Sequence, residues 1–415
     1  MPETGLRFST IGSCRSCKSD RLRLVLDLGL MPLSDGLVAA GGDRDGEDRY
    51  PLTLVFCEEC SLVQILETVE PNVLYGDDYP YYSSFSDALV EHSRKNVETI
   101  IKRRDLDESS LVVELASNDG YLLQWFAKEG IPVLGIDPAP GPARAAVERG
   151  IPTMCEFFGP DLARRLVAEG RTADVIVGNN VLAHVPDQNE FVRAMETLLA
   201  PGGAIVMEFP YVRDMIAKNE FDTIYHEHHC YFSVLAVQRL FARHGLDLVR
   251  VEGLSIHGGS LRVYFERDGN ADLAVAEYLR AEEADGLWDL AFYERFAGEV
   301  EMIGTDLNEL LDGLLQSGHR VAGYGAAAKG AILLNYFGIG PKQLEYIVDR
   351  NTHKQGLEMP GVAIPIVGVE TMLHDPPDYL LVLAWNFKDE ILRQQAGFAE
   401  HGGRFVIPIP TPTVV

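Results

Sequence analysis

The sequence predicts an α/β protein in three units: a small cysteine-bearing module over residues 1–79, a doubly wound parallel sheet over 80–250, and a second Rossmann-like α/β unit over 251–415. Three observations carry this expectation. Four of the six cysteines fall before Tyr79 as two C-x2-C pairs, in a block with little helical pattern. Short apolar runs then alternate with helical segments, the pattern of parallel strands joined by crossover helices. That alternation breaks at a long helical stretch, Leu287 to Leu315, which stops at Ser317-Gly318, and then starts again. A chain of 415 residues exceeds what one core organises, so division is expected on size alone.

In the first block a Gly/Asp-rich turn, Gly41 to Asp48, separates two apolar runs. Cys14, Cys17, Cys57 and Cys60 have the spacing of a four-sulfur zinc site, since a two-residue gap turns both thiolates of a pair toward one ion. Four protein ligands leave no open position, so the zinc is expected to be structural. Cys155 and Cys230 have no partner at that spacing and are expected to be ordinary buried thiols. The second block opens with an amphipathic helix carrying Phe85, Leu89, Val97 and Ile101 on one face. Leu111–Leu115, Val133–Ile136, Val175–Val177 and Ala204–Glu208 then read as strands. In the third block Arg320–Tyr324, Leu344–Val348, Tyr379–Leu383 and Phe405–Ile407 do the same.

Composition narrows the function. With 36 basic against 62 acidic side chains the formal charge is -26, which argues against nucleic acid or an anionic membrane as partner. No apolar run approaches the roughly 18–20 residues of a membrane span, and Met1 to Thr10 lack the pattern of a signal peptide. A cytoplasmic enzyme is expected.

The strand ending at Leu115 runs into Ala116-Ser-Asn-Asp-Gly120, a small-residue turn before a helix over Tyr121–Glu129. Such a turn brings backbone amides to a ligand at the helix start. Ala116 and Ser117 stand where a G-x-G-x-x-G motif has glycine, and only Gly120 remains. Asp137, at the next strand end, is placed to accept hydrogen bonds from ribose hydroxyls, so a nicotinamide dehydrogenase stays open on these residues alone. Further on, Glu220 to Ser233 is the densest cluster of ionisable side chains. Its His226, His228 and His229 lack the i, i+4 spacing of a zinc helix, and imidazoles beside a carboxylate suit proton transfer.

The succession Asp174-Val-Ile-Val-Gly-Asn-Asn-Val-Leu-Ala-His184, then Leu198-Leu-Ala-Pro-Gly-Gly203 and a further strand, resembles class I S-adenosylmethionine methyltransferases. With the four-cysteine module, Tyr225-His-Glu-His228 and Gly323-Tyr-Gly-Ala-Ala-Ala-Lys-Gly330, nearly the whole chain resembles the C-methyltransferases of nucleotide-linked 4-keto deoxysugars, nearest the C-3 enzymes of branched amino- and nitrosugar pathways. The resemblance implies S-adenosylmethionine bordered by Glu114, Ser117, Asn118 and Gly120, with Asp137 at its ribose and Asn179 or Asn180 near the sulfonium. It implies His228 as the base that removes a carbon-bound proton, Tyr225 supporting the enolate or the sugar, Glu227 orienting an imidazole, His184 near the sugar and the sulfonium, and Tyr79 closing the pocket from the zinc side. It implies a monomer acting on a dTDP-sugar of the 3-amino-2,3,6-trideoxy type. Lys329, in the glycine-rich turn, is a candidate for the pyrophosphate with His257, Ser260, Arg262 and Tyr324. A second cofactor such as NAD, or a purely structural turn, stays open for that loop, because Asp349 ends the next strand. Methylation at C-5, an O- or N-methyltransferase, and a zinc-ribbon binding protein with a decayed core are the alternatives.

Overall fold

The computed structural model describes residues 7–42, 47–74 and 82–415, without the side chains of Asn72, His257 and Leu373. The first unit is an antiparallel meander of β1 (Leu22–Pro32), β2 (Arg49–Cys57) and β3 (Val63–Ile65). Each C-x-x-C pair forms a tight knuckle. The residue after its second cysteine, Lys18 or Ser61, turns to φ 63° or 61° and donates its amide to the carbonyl of Cys14 or Cys57.

The second unit adds β4 (Val112–Leu115), β5 (Val133–Ile136), β6 (Thr153–Met154), β7 (Ala173–Asn179), β8 (Leu199–Pro210), β9 (Cys230–Tyr231), β10 (Asp247–Leu254) and β11 (Ser260–Glu266). Seven of these form one sheet in the order β10-β11-β8-β7-β4-β5-β6, parallel from β8 to β6 and finished by the antiparallel β10–β11 hairpin. The expected parallel strands are all present. The helix before them, α1, spans Asp87–Arg104 with Ser86 capping its first turn. It buries Leu89, Val97 and Ile100. Phe85 lies in the turn before it, outside the helical repeat, and is 66% exposed, so the expected face is shifted off Phe85.

After the long α2 (Leu290–Gln316), the third unit consists of β12 (Val321–Tyr324), α3 (Ala328–Phe337), β13 (Ile347–Val348), β14 (Ile366–Val367), β15 (Tyr379–Val382), β16 (Arg404–Ile407) and β17 (Thr413–Val414). Its sheet order is β14-β13-β12-β15-β16-β17, parallel except for the last strand. Neither neighbour stays outside the first unit. β9 leaves the second unit to pair with β3, and Leu357–Glu358 of the third pairs with Val38–Ala39. One apolar core runs from Leu26, Leu54 and Phe56 through Tyr293 and Phe296 into the third sheet. Each such fully buried side chain contributes about 1.5–3 kcal/mol. Among the described residues no helix is long and apolar enough to cross a membrane.

Candidate active site

The four knuckle sulfurs converge as their spacing requires. Cys14 and Cys60 Sγ are 3.6 Å apart, Cys17 and Cys57 Sγ 3.5 Å, and all four lie within 4.8 Å of one another. Zinc–sulfur bonds of about 2.3 Å in a tetrahedron place sulfurs about 3.8 Å apart, so the cage fits zinc and has no vacant corner for chemistry. Gln64 Nε2 donates to Cys14 Sγ at 3.2 Å. The buried guanidinium of Arg15, inside the first knuckle, donates to the carbonyls of Ile65, Glu67 and Pro186. It bolts the cage to the loop after β7. The other two cysteines divide: Cys230 is buried in β9, whereas Cys155 is exposed, just after the short edge strand β6.

A cavity of about 630 Å³ opens where the carboxyl ends of β4, β5 and β7 meet. That crevice is where open α/β sheets bind ligands, because the connections on either side of it leave in opposite directions. Asn118, Asp137, Asn179 and Asn180 line it. Glu114, Ser117 and Gly120 sit behind that wall and shape it. The turn lacks two glycines yet takes glycine-like backbone, with φ of 54° at Ala116, 48° at Asn118 and 77° at Gly120. Asp137 compensates that strain by accepting the Asn118 amide on one oxygen and the Ala139 amide on the other, both at 2.8 Å. Asn118 Oδ1 in turn accepts the amide of Ser83, just ahead of α1, at 2.8 Å. Buried Glu114 is pushed well above the usual carboxylate range by desolvation, then by Asp137 and Asp119. Among the described residues the Asn179 amide has no hydrogen-bond partner for its oxygen or its nitrogen, although Asn179 is only 7% exposed. Such an orphaned buried group on a cavity wall fits a ligand carrying both donors and acceptors.

Beyond this cradle the same cavity is lined by His184, Thr223, Tyr225, Glu227, His228 and His229. His184 ends a 3-10 turn after β7, and its ring meets His228 edge to face at 4.8 Å. His228 Nδ1 lies 2.9 Å from the Thr223 carbonyl, which can only accept, so that nitrogen carries the proton. Nε2 then carries the lone pair, and it accepts from the Tyr225 hydroxyl at 3.0 Å. Burial holds His228 well below the usual imidazole range, and His184 at about 4. Both are therefore neutral at physiological pH. His226 and His229 face other tasks: His226 Nε2 donates to the Pro51 carbonyl at 3.1 Å, and the His229 carbonyl accepts the Ile65 amide.

The third unit supplies the opposite wall with Ala327, Ala328, Lys329, Lys354, Ala384, Asn386 and Phe387. Its glycine-rich turn is closed by Asp349, which accepts the amides of Ala326 and Asn351 at 2.7 Å each. Lys329 Nζ stands 4.6 Å from the Trp385 ring centroid and has no hydrogen-bond partner. Behind it, burial pushes Glu220 up to about 7 and Asp222 up to about 6, with Lys329 pulling both back.

Three expected substrate residues are elsewhere. Arg262 lies directly across β8–β11 from Glu208, donates to it at 2.6 Å and reaches Glu252, so its charge is spent inside the sheet. Ser260 donates to the Ile256 carbonyl, and the Tyr324 hydroxyl accepts from Gln395. Tyr79 and the side chain of His257 lie outside the described residues. The cavity also enlists residues no motif singled out, among them Asp35, Phe157 and Lys354.

Over 408 residues the chain is 37% identical to the C-methyltransferase NovU of Streptomyces niveus, which covers 98% of this chain and 97% of that one. The chain belongs to the C-methyltransferases. Its residues 14–75, 90–251 and 255–410 match, in turn, a zinc binding domain family, a methyltransferase domain family and a C-methyltransferase C-terminal domain family. A ubiquinone biosynthesis O-methyltransferase of Cupriavidus pinatubonensis is 26% identical over 185 residues, 40% of this chain and 71% of that one. The crystal structure of the glycopeptide N-methyltransferase MtfA overlays with a TM-score of 0.34 at 13% identity, over 42% of this chain and 96% of that one. This C-methyltransferase therefore depends on S-adenosylmethionine and carries structural zinc in the cysteine cage.

Proposed function

We propose that this C-methyltransferase methylates C-3 of a dTDP-linked 4-keto-6-deoxysugar of the 3-amino-2,3,6-trideoxy type. The carrying observation is the fixed tautomer of His228: a buried imidazole lining the cavity that also holds the cofactor cradle, with its Nε2 lone pair met by the Tyr225 hydroxyl. Asn118, Asp137, Asn179 and Asn180 would hold S-adenosylmethionine from the wall, with Glu114, Ser117 and Gly120 shaping the turn beneath it. The cofactor supplies an electrophilic methyl group on sulfur. A ketone at C-4 acidifies the neighbouring C-3 hydrogen. His228 takes that proton on Nε2, and the C–H electron pair moves into the enolate, leaving C-3 the nucleophile. The Tyr225 hydroxyl turns its one hydrogen from Nε2 to the developing enolate oxygen, which releases the Nε2 lone pair for the C-3 proton, and His184 and Glu227 border the sugar. The amides and ammonium at the start of α3 offer the diphosphate a positive end in an otherwise acidic protein.

Incubation with a panel of dTDP-linked keto sugars in deuterated water tests this reading. Deuterium should enter at C-3 without cofactor, and a C-3 methyl product should form with it. Methylation on a hydroxyl or amine without carbon exchange, or methylation at C-5, would overturn it.

A further inference from the structure

Asp35 follows β1 in the first unit, and Lys354 lies in the turn after β13 in the third. Both line the cavity of the second unit, as Glu227 does. Lys354 Nζ donates to the carbonyl of Ala326, in the glycine-rich turn, at 2.7 Å and stands 3.8 Å from Asp35 Oδ1. Both side chains are largely buried, 15% and 23% exposed. Glu227 Oε2 lies 3.9 Å from His184 Nδ1. We propose that Asp35 and Lys354 are positioning residues for the methyl transfer, a charge pair drawn one from each outer unit that closes on Glu227 beside His184. The inference rests on reading this half of the cavity as the sugar site.

The physical case runs through charge. A partly buried ion pair adds little stability, because desolvation offsets its attraction, so stability alone does not account for one on a cavity wall. Among the described residues, the charged and titratable groups acting on Glu227 are Asp35, Lys354 and His184. Burial raises Glu227 well above its usual range, Asp35 raises it further and Lys354 opposes both. With burial drawing Glu227 toward its neutral form, the Asp35–Lys354 pair adds no net charge beside it, and so draws no proton onto His184 or, through the ring contact, onto His228. Loss of Lys354 would leave unbalanced negative charge there and favour the protonated imidazole, which is useless as a base. Loss of the Asp35 charge would act in the opposite sense.

The test uses the zinc-loaded, cofactor-saturated full chain in two arms. In the first, the pH dependence of urea unfolding is measured from about pH 5 to about pH 8. A carboxyl raised in the folded state stabilises fully below its unfolded pKa, and that stability is lost as pH rises through the folded value. Lys354→Met should therefore steepen the loss with rising pH, Asp35→Asn should flatten it, and both differences should vanish in a Glu227→Gln background. In the second arm, the acid limb of kcat/KM for a methylated sugar should move upward in Lys354→Met and downward in Asp35→Asn. Lys354→Met should lose kcat roughly 10- to 100-fold while the cofactor KM holds. Shifts of the same sign in both variants, no shift, or differences that persist with Glu227→Gln would overturn the proposal. If the wild type methylates no sugar in the panel, the substrate reading fails, and the unfolding arm still decides the role of the pair.

Discussion

The chain contains the same α/β device twice, and the two copies differ in what they leave unfinished. In each, a strand runs into a small-residue turn, and an aspartate at the end of the next strand clamps that turn by accepting two backbone amides: Asp137 in the second unit, Asp349 in the third. Residues at both turns line one cavity. The first copy leaves the polar Asn179 unpaired beside its turn, as a site for a ligand rich in donors and acceptors requires. The second packs its turn tight: a Cβ on Gly325 would stand 2.8 Å from Ala384 Cβ, and one on Gly323 2.7 Å from an Ile347 side-chain carbon. It presents alanines and a lysine instead. A duplicated scaffold thus becomes a cradle on one side and a wall on the other through a few side chains at the strand ends.

The largest expected effect tests what keeps the two copies face to face. The first unit grips the second through Arg15 and the third through Val38–Ala39. Cys57→Ala should lose the metal and, with it, folding free energy on the order of 10 kcal/mol; zinc content and methylation should both fall to background. Next, His228→Asn should lower kcat roughly 10²- to 10⁴-fold and leave cofactor affinity within about twofold. Equal losses in both would show that the imidazole supports the cradle rather than the chemistry. Arg262→Met, read by urea unfolding, should cost about 3–5 kcal/mol, because it leaves Glu208 buried with only His92 and Asn96. If the residue served the diphosphate instead, stability would hold and dTDP affinity would fall. The smallest effects bear most directly on the comparison. Asp137→Asn should weaken S-adenosylmethionine about tenfold with dTDP unchanged, and Lys329→Ala the reverse, about 1.4 kcal/mol each by calorimetry. Crossed or shared losses would merge the two roles.

Local sequence carried much of this. Cysteine spacing specified the cage because its geometry is set by neighbours three apart, and strand alternation specified both sheets. The cradle was harder to read, since Ala116 and Asn118 adopt the backbone that a glycine motif would advertise. Arg262, a candidate for the pyrophosphate from the sequence, is set against Glu208 by cross-strand register, which no local pattern displays. In the histidine cluster, density was legible and division of labour was not. Which ring faces the cavity and which faces Pro51 depends on β9 pairing with a strand from another unit. Asp35 and Lys354 had no local signature at all, being brought together only by tertiary packing.

That pairing of Cys230–Tyr231 with Val63–Ile65 also imposes an order of events during synthesis. The zinc-bearing meander leaves the ribosome ahead of the other two units, with the β3 edge still unpaired and open to other chains. Its last strand is translated only after most of the methyltransferase sheet. The N-terminal unit can thus take up metal early but must wait to be completed, and β3 is the edge through which a truncated product would aggregate.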